Sequence, residues 1–357
     1  MIQVSTFRRA VFASSLVILA ACGGSSNSTS GSDNTASLDT TNTTVAAETT
    51  TTIVAVVNPL TGEPATDETT LSRPALVVKI DNHPSAHPQA GINQADIIFE
   101  ENVEKLTRFA AVFQSQGSDP VGPIRSGRFQ DINLLGSLNK PLFVWSGGNA
   151  QVSRAITKSD LVDLSHTIAN KDGGYKRDND RKAPHDLIAE TTKLWTLAPD
   201  GSGPPPAQFV YRGASDAMPT GVQKVDGVKV SMDGVKVQWL WNATNSTFDR
   251  FQNDKPHVDV ADVQLNVRNV VVLEVEYTKT YSPTAKTLGG GNVTVFTNGV
   301  AMVGTWTRAD RLLPFTLKDS SGAVIKLTPG RTFVEVARAD KSAIITLGVD
   351  PAEVKYP

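Results

Sequence analysis

The stretch Leu19-Ala20-Ala21-Cys22 carries the one cysteine of this 357-residue chain, at the end of twelve uncharged residues, 10 to 21. A lone cysteine closes no internal disulfide and supplies no multi-cysteine zinc or iron–sulfur site. Whatever folds here must do so on an apolar core. Arg8 and Arg9 precede the apolar run, and no acid lies before it. That is a positive n-region followed by an h-region of signal-peptide length. The run is too short to span a hydrocarbon core of ~30 Å, which takes about 20 helical residues. Small residues before a cysteine read as a bacterial lipobox. The thiol receives diacylglycerol, cleavage removes residues 1–21, and Cys22 becomes an acylated N-terminus that carries palmitate-type chains. More than one chain on one cysteine meets the requirement for stable anchoring. A plain secretory signal with an incidental cysteine is the bland alternative. The adjacent arginines also faintly fit a twin-arginine export signal. With its thiol given to lipid, the chain has no cysteine for catalysis.

The charge is nearly balanced, 34 basic against 36 acidic side chains. A nucleic-acid binder should show a strong basic bias, so that class of partner is excluded. After cleavage 32 basic and 36 acidic side chains remain. Residues 22–57 follow as a tether. Sixteen of the thirty residues from 23 to 52 are Ser or Thr, and none is Lys or Arg. Such a segment buries too little apolar surface to offset its ordering entropy. It is expected to be a flexible stalk that lifts the rest clear of the membrane.

The remaining chain reads as α+β, a mixed α/β unit at residues 58–203 and a mainly antiparallel β unit at 204–357. Pro74 to Asp81 reads as a buried strand. Residues 96–104 and 107–115 read as two strands joined at Lys105-Leu106, apolar on both faces, which implies a sheet covered on both sides. Residues 128–138 and 186–195 carry apolar residues at helical spacing. Residues 141–145 are a further strand closed by Ser146-Gly147-Gly148. Gly201-Ser202-Gly203-Pro204-Pro205-Pro206 marks the boundary. Beyond it, Asp226-Gly227, Asp233-Gly234 and Asn298-Gly299 are hairpin turn signals. Val235, Val237, Trp239 and Trp241 alternate onto one face, which suits core packing better than a sugar-stacking platform.

From Asn58 onward the sequence resembles the YerB-like family of bacterial lipoproteins, a family of unknown function. The resemblance rests on Asn58-Pro59-Leu60-Thr61-Gly62, Arg73-Pro74, Asp81-Asn82, Glu100, Glu104 and Thr107-Arg108-Phe109. It continues through Gly122-Pro123-Ile124-Arg125-Ser126-Gly127-Arg128, Arg177, Arg181, Pro184-His185, Gly304-Thr305-Trp306 and Pro329-Gly330. Phe333 stands where the family usually shows tryptophan. The resemblance implies two domains, the first a layered α+β unit, and an extracytoplasmic, membrane-anchored setting. It brings no activity with it.

The residues that could carry chemistry cluster in the first unit. Alternation puts Glu100, Asn102 and Glu104 on one side of their strand, with Arg108 near Glu104 at the closed end of the hairpin. Arg125 and Arg128 flank Ser126-Gly127, and Ser126 is placed to cap the following helix. A helix start with two arginines offers free N–H groups and bidentate donors to phosphate or carboxylate. His185 could join them. The functional reading is a pocket for an anionic envelope ligand, formed by Arg108, Arg125, Ser126, Arg128 and His185. With Glu100 or Glu104 as base and His185 as acid it becomes a hydrolytic site. The competing reading is an internal network in which Glu104 pairs with Arg108, and the helix-start arginines pair with Asp131 or Asp96.

Other features carry less. His83 and His87 are each followed by proline, so the four-residue spacing does not sit on a helix and the metal reading is weak. Gly289-Gly290-Gly291 lacks the ending of a phosphate loop and reads as a strand connection. No metal and no cofactor is expected. Three classes stand: a non-catalytic envelope module for an anionic ligand, cell-wall glycan or partner protein; a hydrolase or transferase on an anionic envelope polymer; and a scaffold without a small ligand.

Overall fold

The computed structural model describes residues 56–357, so Cys22 and nearly all of the expected stalk lie outside the described residues. Residues 76–81, Leu-Val-Val-Lys-Ile-Asp, form β1 (Leu76–Asp81). A hairpin follows, β2 (Ile97–Val103) and β3 (Leu106–Phe113), reversed at Lys105, whose φ of 56° is left-handed. Next come α1 (Phe129–Leu134), β4 (Leu142–Val144), α2 (Ala150–Thr157), β5 (Val162–Asp163) and α3 (His166–Ala169). A two-stranded ribbon of β6 (Lys176–Arg177) and β7 (Leu187–Ile188) precedes α4 (Thr191–Trp195).

The second half is almost all strand. β8 (Gln223–Met232) turns at Asp233-Gly234 into β9 (Val235–Asn242), followed by β10 (Thr247–Gln252), β11 (Lys255–Pro256) and β12 (Asn266–Val267). β13 (Asn269–Val275) precedes β14 (Gly289–Thr297), which turns at Asn298-Gly299 into β15 (Val300–Arg308). β16 (Thr316–Asp319), β17 (Thr332–Arg338) and β18 (Ser342–Thr346) complete the chain. Both turns use the left-handed backbone their residues favour: Gly234 has φ 79°, and Asn298 and Gly299 have 49° and 72°.

One sheet runs through both halves, in the order β11-β10-β9-β8-β15-β14-β13-β17-β2-β3-β1-β4-β5. Its seam is β17, which pairs parallel with β13 on one side and with β2 on the other. Apart from these two pairings and β1-β4-β5, the ladder is antiparallel. Apolar residues gather into two clusters, and β1 feeds both: Leu76, Val78 and Ile80 enter one, Val77 the other. This is the two-face burial expected of strands that are apolar throughout. Trp239 packs wholly buried with Val235 and Val237 in the first cluster, as core.

Three local expectations fail for identifiable reasons. Leu187 and Ile188 do not open a helix; they pair with Arg177 and Lys176 as β7, and the helix begins at Thr191. Asp226-Gly227 is not a turn but lies inside β8. A Cβ on Gly227 would stand 1.9 Å from the carbonyl oxygen of Trp239, so the glycine serves close strand approach. Gly289–Gly291 likewise belongs to β14, paired with Arg308, Thr307 and Trp306 of β15.

Candidate functional site

The segment from Ile124 to Arg128 leaves the edge of β1 and passes over Trp145 and Ile156. Gly127 makes that path possible: a Cβ there would meet Ile156 Cδ1 at 2.8 Å and Trp145 Cε3 at 2.9 Å. Arg125 N donates to Lys79 O at 2.7 Å and Ser146 N to Arg125 O at 3.0 Å, so the segment is bound between β1 and the turn after β4. A cavity of about 630 Å³ opens beside it. Its walls include Arg125, Ser126, Arg128, the Ser146–Asn149 turn, His166 and Arg177, with Tyr281 and Ser282 from the second half.

The arginines crowd. Arg108 donates from Nη1 to Ser126 O at 3.0 Å. Burial, followed by the charges of Arg128 and Arg125, pushes its guanidinium down to about 10. Arg128 Nη2 meets Glu104 Oε2 at 2.7 Å. Burial works against ionisation of Glu104, but the bond from Arg128 and the nearby arginine charges outweigh it and hold its carboxyl below the usual range. Arg125 Nε lies 3.3 Å from Asp81 Oδ2, and its terminal nitrogens have no acceptor among the described residues. Arg177 pairs with Asp186 at 2.6 Å. Arg125, Arg128, Arg177 and Glu104 line the cavity; Arg108, Asp81 and Asp186 stand behind them, on Ser126 O, Arg125 and Arg177 respectively.

The sequence-derived candidates divide. Arg108, Arg125, Ser126, Arg128 and Glu104 are brought together. His185 joins them through Asp81: Nδ1 of His185 lies 2.7 Å from Asp81 Oδ2, the oxygen that faces Arg125. Glu100 does not join. Successive strand residues point to opposite faces. Glu101 stands opposite Arg108 in the β2–β3 register, while Glu100 turns the other way, to Arg250 Nη2 at 2.6 Å and Thr107 Oγ1 at 2.6 Å.

Ser126 is not a helix cap. The cap residue of α1 is Arg128, whose backbone N–H donates to Asp131 Oδ2 at 2.6 Å. The α1 start is thus already filled by a carboxylate of its own. The expected pairing of Glu104 with Arg108 is replaced by Glu104 with Arg128. Asp131 goes to Lys79, whose Nζ sits 2.6 Å from it and 2.5 Å from Glu101, all three side chains wholly buried. Asp96 accepts from the backbone of Gln114 and Ser115.

Three contributors escape the sequence reading. Asp81 closes the first strand and lies 104 residues from His185, so no spacing links them. His83 stacks on His185, ring centroids 4.3 Å apart. The Ser146–Asn149 turn opens α2, where Asn149 Oδ1 accepts from Gln151 N at 3.1 Å and Val152 N at 3.0 Å. Gly147, at φ 107°, and Gly148 present backbone to the cavity. A strand followed by Ser-Gly-Gly-Asn and a helix was a readable signal for that wall. His87 takes no part; its Nε2 lies 2.8 Å from Asn82 Oδ1.

Residues 60–203 match the N-terminal domain, and residues 228–334 the C-terminal domain, of a family described as protein of unknown function (DUF3048). A Bacillus subtilis (strain 168) protein described as "Putative lipoprotein YerB" is 35 % identical over 128 residues, covering 36 % of this chain and 38 % of that protein. The crystal structure of the YerB protein from Bacillus subtilis matches the fold with TM-score 0.71 at 20 % identity, over 81 % of this chain and 99 % of that one. With both domains matched in order across most of the described residues, this chain belongs to the DUF3048 family.

Proposed function

We propose that this protein is a lipoprotein held through Cys22 on the extracytoplasmic face of the cell membrane, and that its arginine pocket binds an anionic ligand of the envelope. The observation that carries the binding reading is Arg125. Its Nε leans on Asp81, while the outer nitrogens of its guanidinium have no acceptor among the described residues and adjoin a cavity that Arg128 also lines. A wholly structural network would pair these donors internally. A guanidinium fork suits the oxygens of phosphate or carboxylate, and charge-assisted bonds of this type are the strong ones.

The setting follows from the sequence: a short h-region, a lipobox and a Ser/Thr-rich tether. The lipoprotein name of the Bacillus relative supports it. Among the described residues no helix is long and apolar enough to cross a membrane. The ligand is a phosphate- or carboxylate-bearing wall fragment, or an acidic patch on an envelope protein. The test is a titration of the stalk-free protein with inorganic phosphate, followed by amide NMR. Shifts confined to Arg125–Arg128 and Ser146–Asn149 are expected; shifts absent from both segments would contradict the reading.

A further inference from the structure

A second cavity, of about 650 Å³, opens where β15 ends and β16 begins. Its size lies within the roughly 300–1,000 Å³ of small-molecule sites. Phe209, Leu313, Phe315, Leu317, Val324 and Ile325 make its walls mainly apolar. Val210, Leu313 and Val324, all on these walls, are 49 %, 52 % and 45 % exposed, so a cluster of large apolar side chains is left in water. Among these walls sits one cation, Arg308, at the end of β15 and wholly buried. Its Nε donates to Leu313 O at 2.7 Å, and its Nη2 to Arg311 O at 2.5 Å and, more distantly, to Leu134 O and Ser137 Oγ, both at 3.5 Å. Phe315 lies under the guanidinium at 4.6 Å. All these partners are uncharged. Arg308 forms no ion pair among the described residues: Asp310 turns its carboxylate to Leu312 N at 2.8 Å, and Asp160 pairs with Arg311 at 2.9 Å. Nη1 is buried with no acceptor at all. Burial, then the charge of Arg311, pushes the guanidinium down to about 10, as befits a cation short of a counter-charge.

We infer that this cavity binds a long-chain fatty acid, its acyl chain on the apolar walls and its carboxylate at Arg308. The inference goes beyond the anion-binding reading of the Arg125–Arg128 cavity and does not depend on it. Charge selects the head group. One unpaired guanidinium is matched by one carboxylate, whereas a phosphomonoester brings about −1.5 to −2. A free Nη1 out of water is also where a charge-assisted bond is strong. The walls select the tail. A peptide laid on them would leave backbone N–H and C=O groups without partners, at a cost an acyl chain does not meet. Nor is a strand edge open to it at β16. One edge pairs with β15, and on the other Ile325 N donates to Leu317 O at 2.9 Å and Asp319 N to Ala323 O at 2.9 Å.

The test uses the mature chain carrying Cys22→Ser, which keeps the stalk and bears no acyl chain of its own. It is titrated with ¹³C-carboxyl myristate below the micellar concentration, and separately with methyl myristate, which has the same tail and no charge. One myristate should bind per chain, with amide shifts at residues 208–210 and 307–325, and its carboxyl should stay ionised to lower pH than in the free acid. The ester should bind at least tenfold more weakly. Val324→Glu, at an exposed part of the wall, should weaken myristate at least tenfold with an unchanged melting temperature. Arg308→Gln should abolish the preference for acid over ester; if it fails to fold, the acid–ester comparison in the parent decides the role of the charge. No saturable binding of myristate overturns the inference. So does equal affinity for acid and ester, or binding that Val324→Glu leaves unchanged. Each of these failures leaves the Arg125–Arg128 reading standing, because phosphate binding there is scored by shifts at other residues.

Discussion

Arg250 Nη2 lies 2.6 Å from Glu100 Oε2, and both side chains are wholly buried. The pair joins β10 of the second half to β2 of the first. Arg250 Nη1 also donates to Gln252 Oε1 at 2.7 Å and reaches Nδ1 of His257 at 2.5 Å. Glu335 stands beside Glu100 in the β17–β2 register. Burial, then the Glu100 charge, pushes its carboxyl well above the usual range. Removing one partner of a buried pair costs about 3–5 kcal/mol. Arg250→Ala should therefore lower stability by about that much in urea unfolding; a loss below about 1 kcal/mol, the level of an exposed pair, would contradict this role.

The fold's pH dependence should come from buried carboxyls above neutrality. Burial, then the charge of Asp131, pushes Glu101 up to about 8 despite Lys79. The unfolded chain loses that proton at about 4.3. Between these values the native state binds the extra proton, so stability falls as pH rises, by at most about 1.4 kcal/mol per unit. Glu335, also raised, acts in the same direction.

Two histidines oppose this at lower pH. Burial, then Arg250, pushes His87 down to about 4 and His257 well below its ordinary value. Their contribution is lost as pH falls and is complete above about 6.5. From pH 6.5 to 8 the carboxyls act without them. Glu101→Gln should make the loss of stability over that window shallower in thermal melts; equal slopes for variant and parent would refute the assignment.

Gly127→Ala should destabilise by about 1–3 kcal/mol, the range for overpacking. Its new methyl group would press on Trp145 and Ile156, both buried. Because Arg125 and Arg128 flank this glycine, phosphate affinity should fall along with stability. A variant with unchanged melting temperature would mean that the segment is not seated as described.

Cys22→Ser should release the protein from the membrane fraction, because a single hydroxyl carries no diacylglycerol. Fractionation of cells followed by mass spectrometry checks this. Unchanged retention, or residues found before position 22 in the mature form, would contradict the anchor.

Local pattern made much of the fold legible. The period-two alternation of β9, the Asp233-Gly234 and Asn298-Gly299 turns, and the β2–β3 hairpin all depend on neighbours in sequence. The seam does not. β17 enters between β13 and β2 in parallel, and the partners of Phe333, Val270 and Ile98, lie 63 and 235 residues away. An apolar run such as Thr332–Arg338 states that it is buried, not beside what. The site divides along the same line. Arg125, Ser126 and Arg128 lie within four successive residues, so their grouping was readable. The separation of Glu100 from Glu104 was not, because alternation stops where β2 ends and the turn at Lys105 carries Glu104 to Arg128. Asp81 was invisible as a partner of His185 because only the folded chain brings them within 2.7 Å.

The central claim, that the arginines form an anion site and not a closed network, is tested most directly by calorimetric titration of inorganic phosphate into the parent and into Arg125→Ala/Arg128→Ala. Each charge-assisted contact is worth about 1.5–3 kcal/mol, so the double variant should bind at least about a hundredfold more weakly with its melting temperature nearly unchanged. Equal affinity in parent and variant, or a variant that no longer folds beside a parent that binds no phosphate, would contradict it.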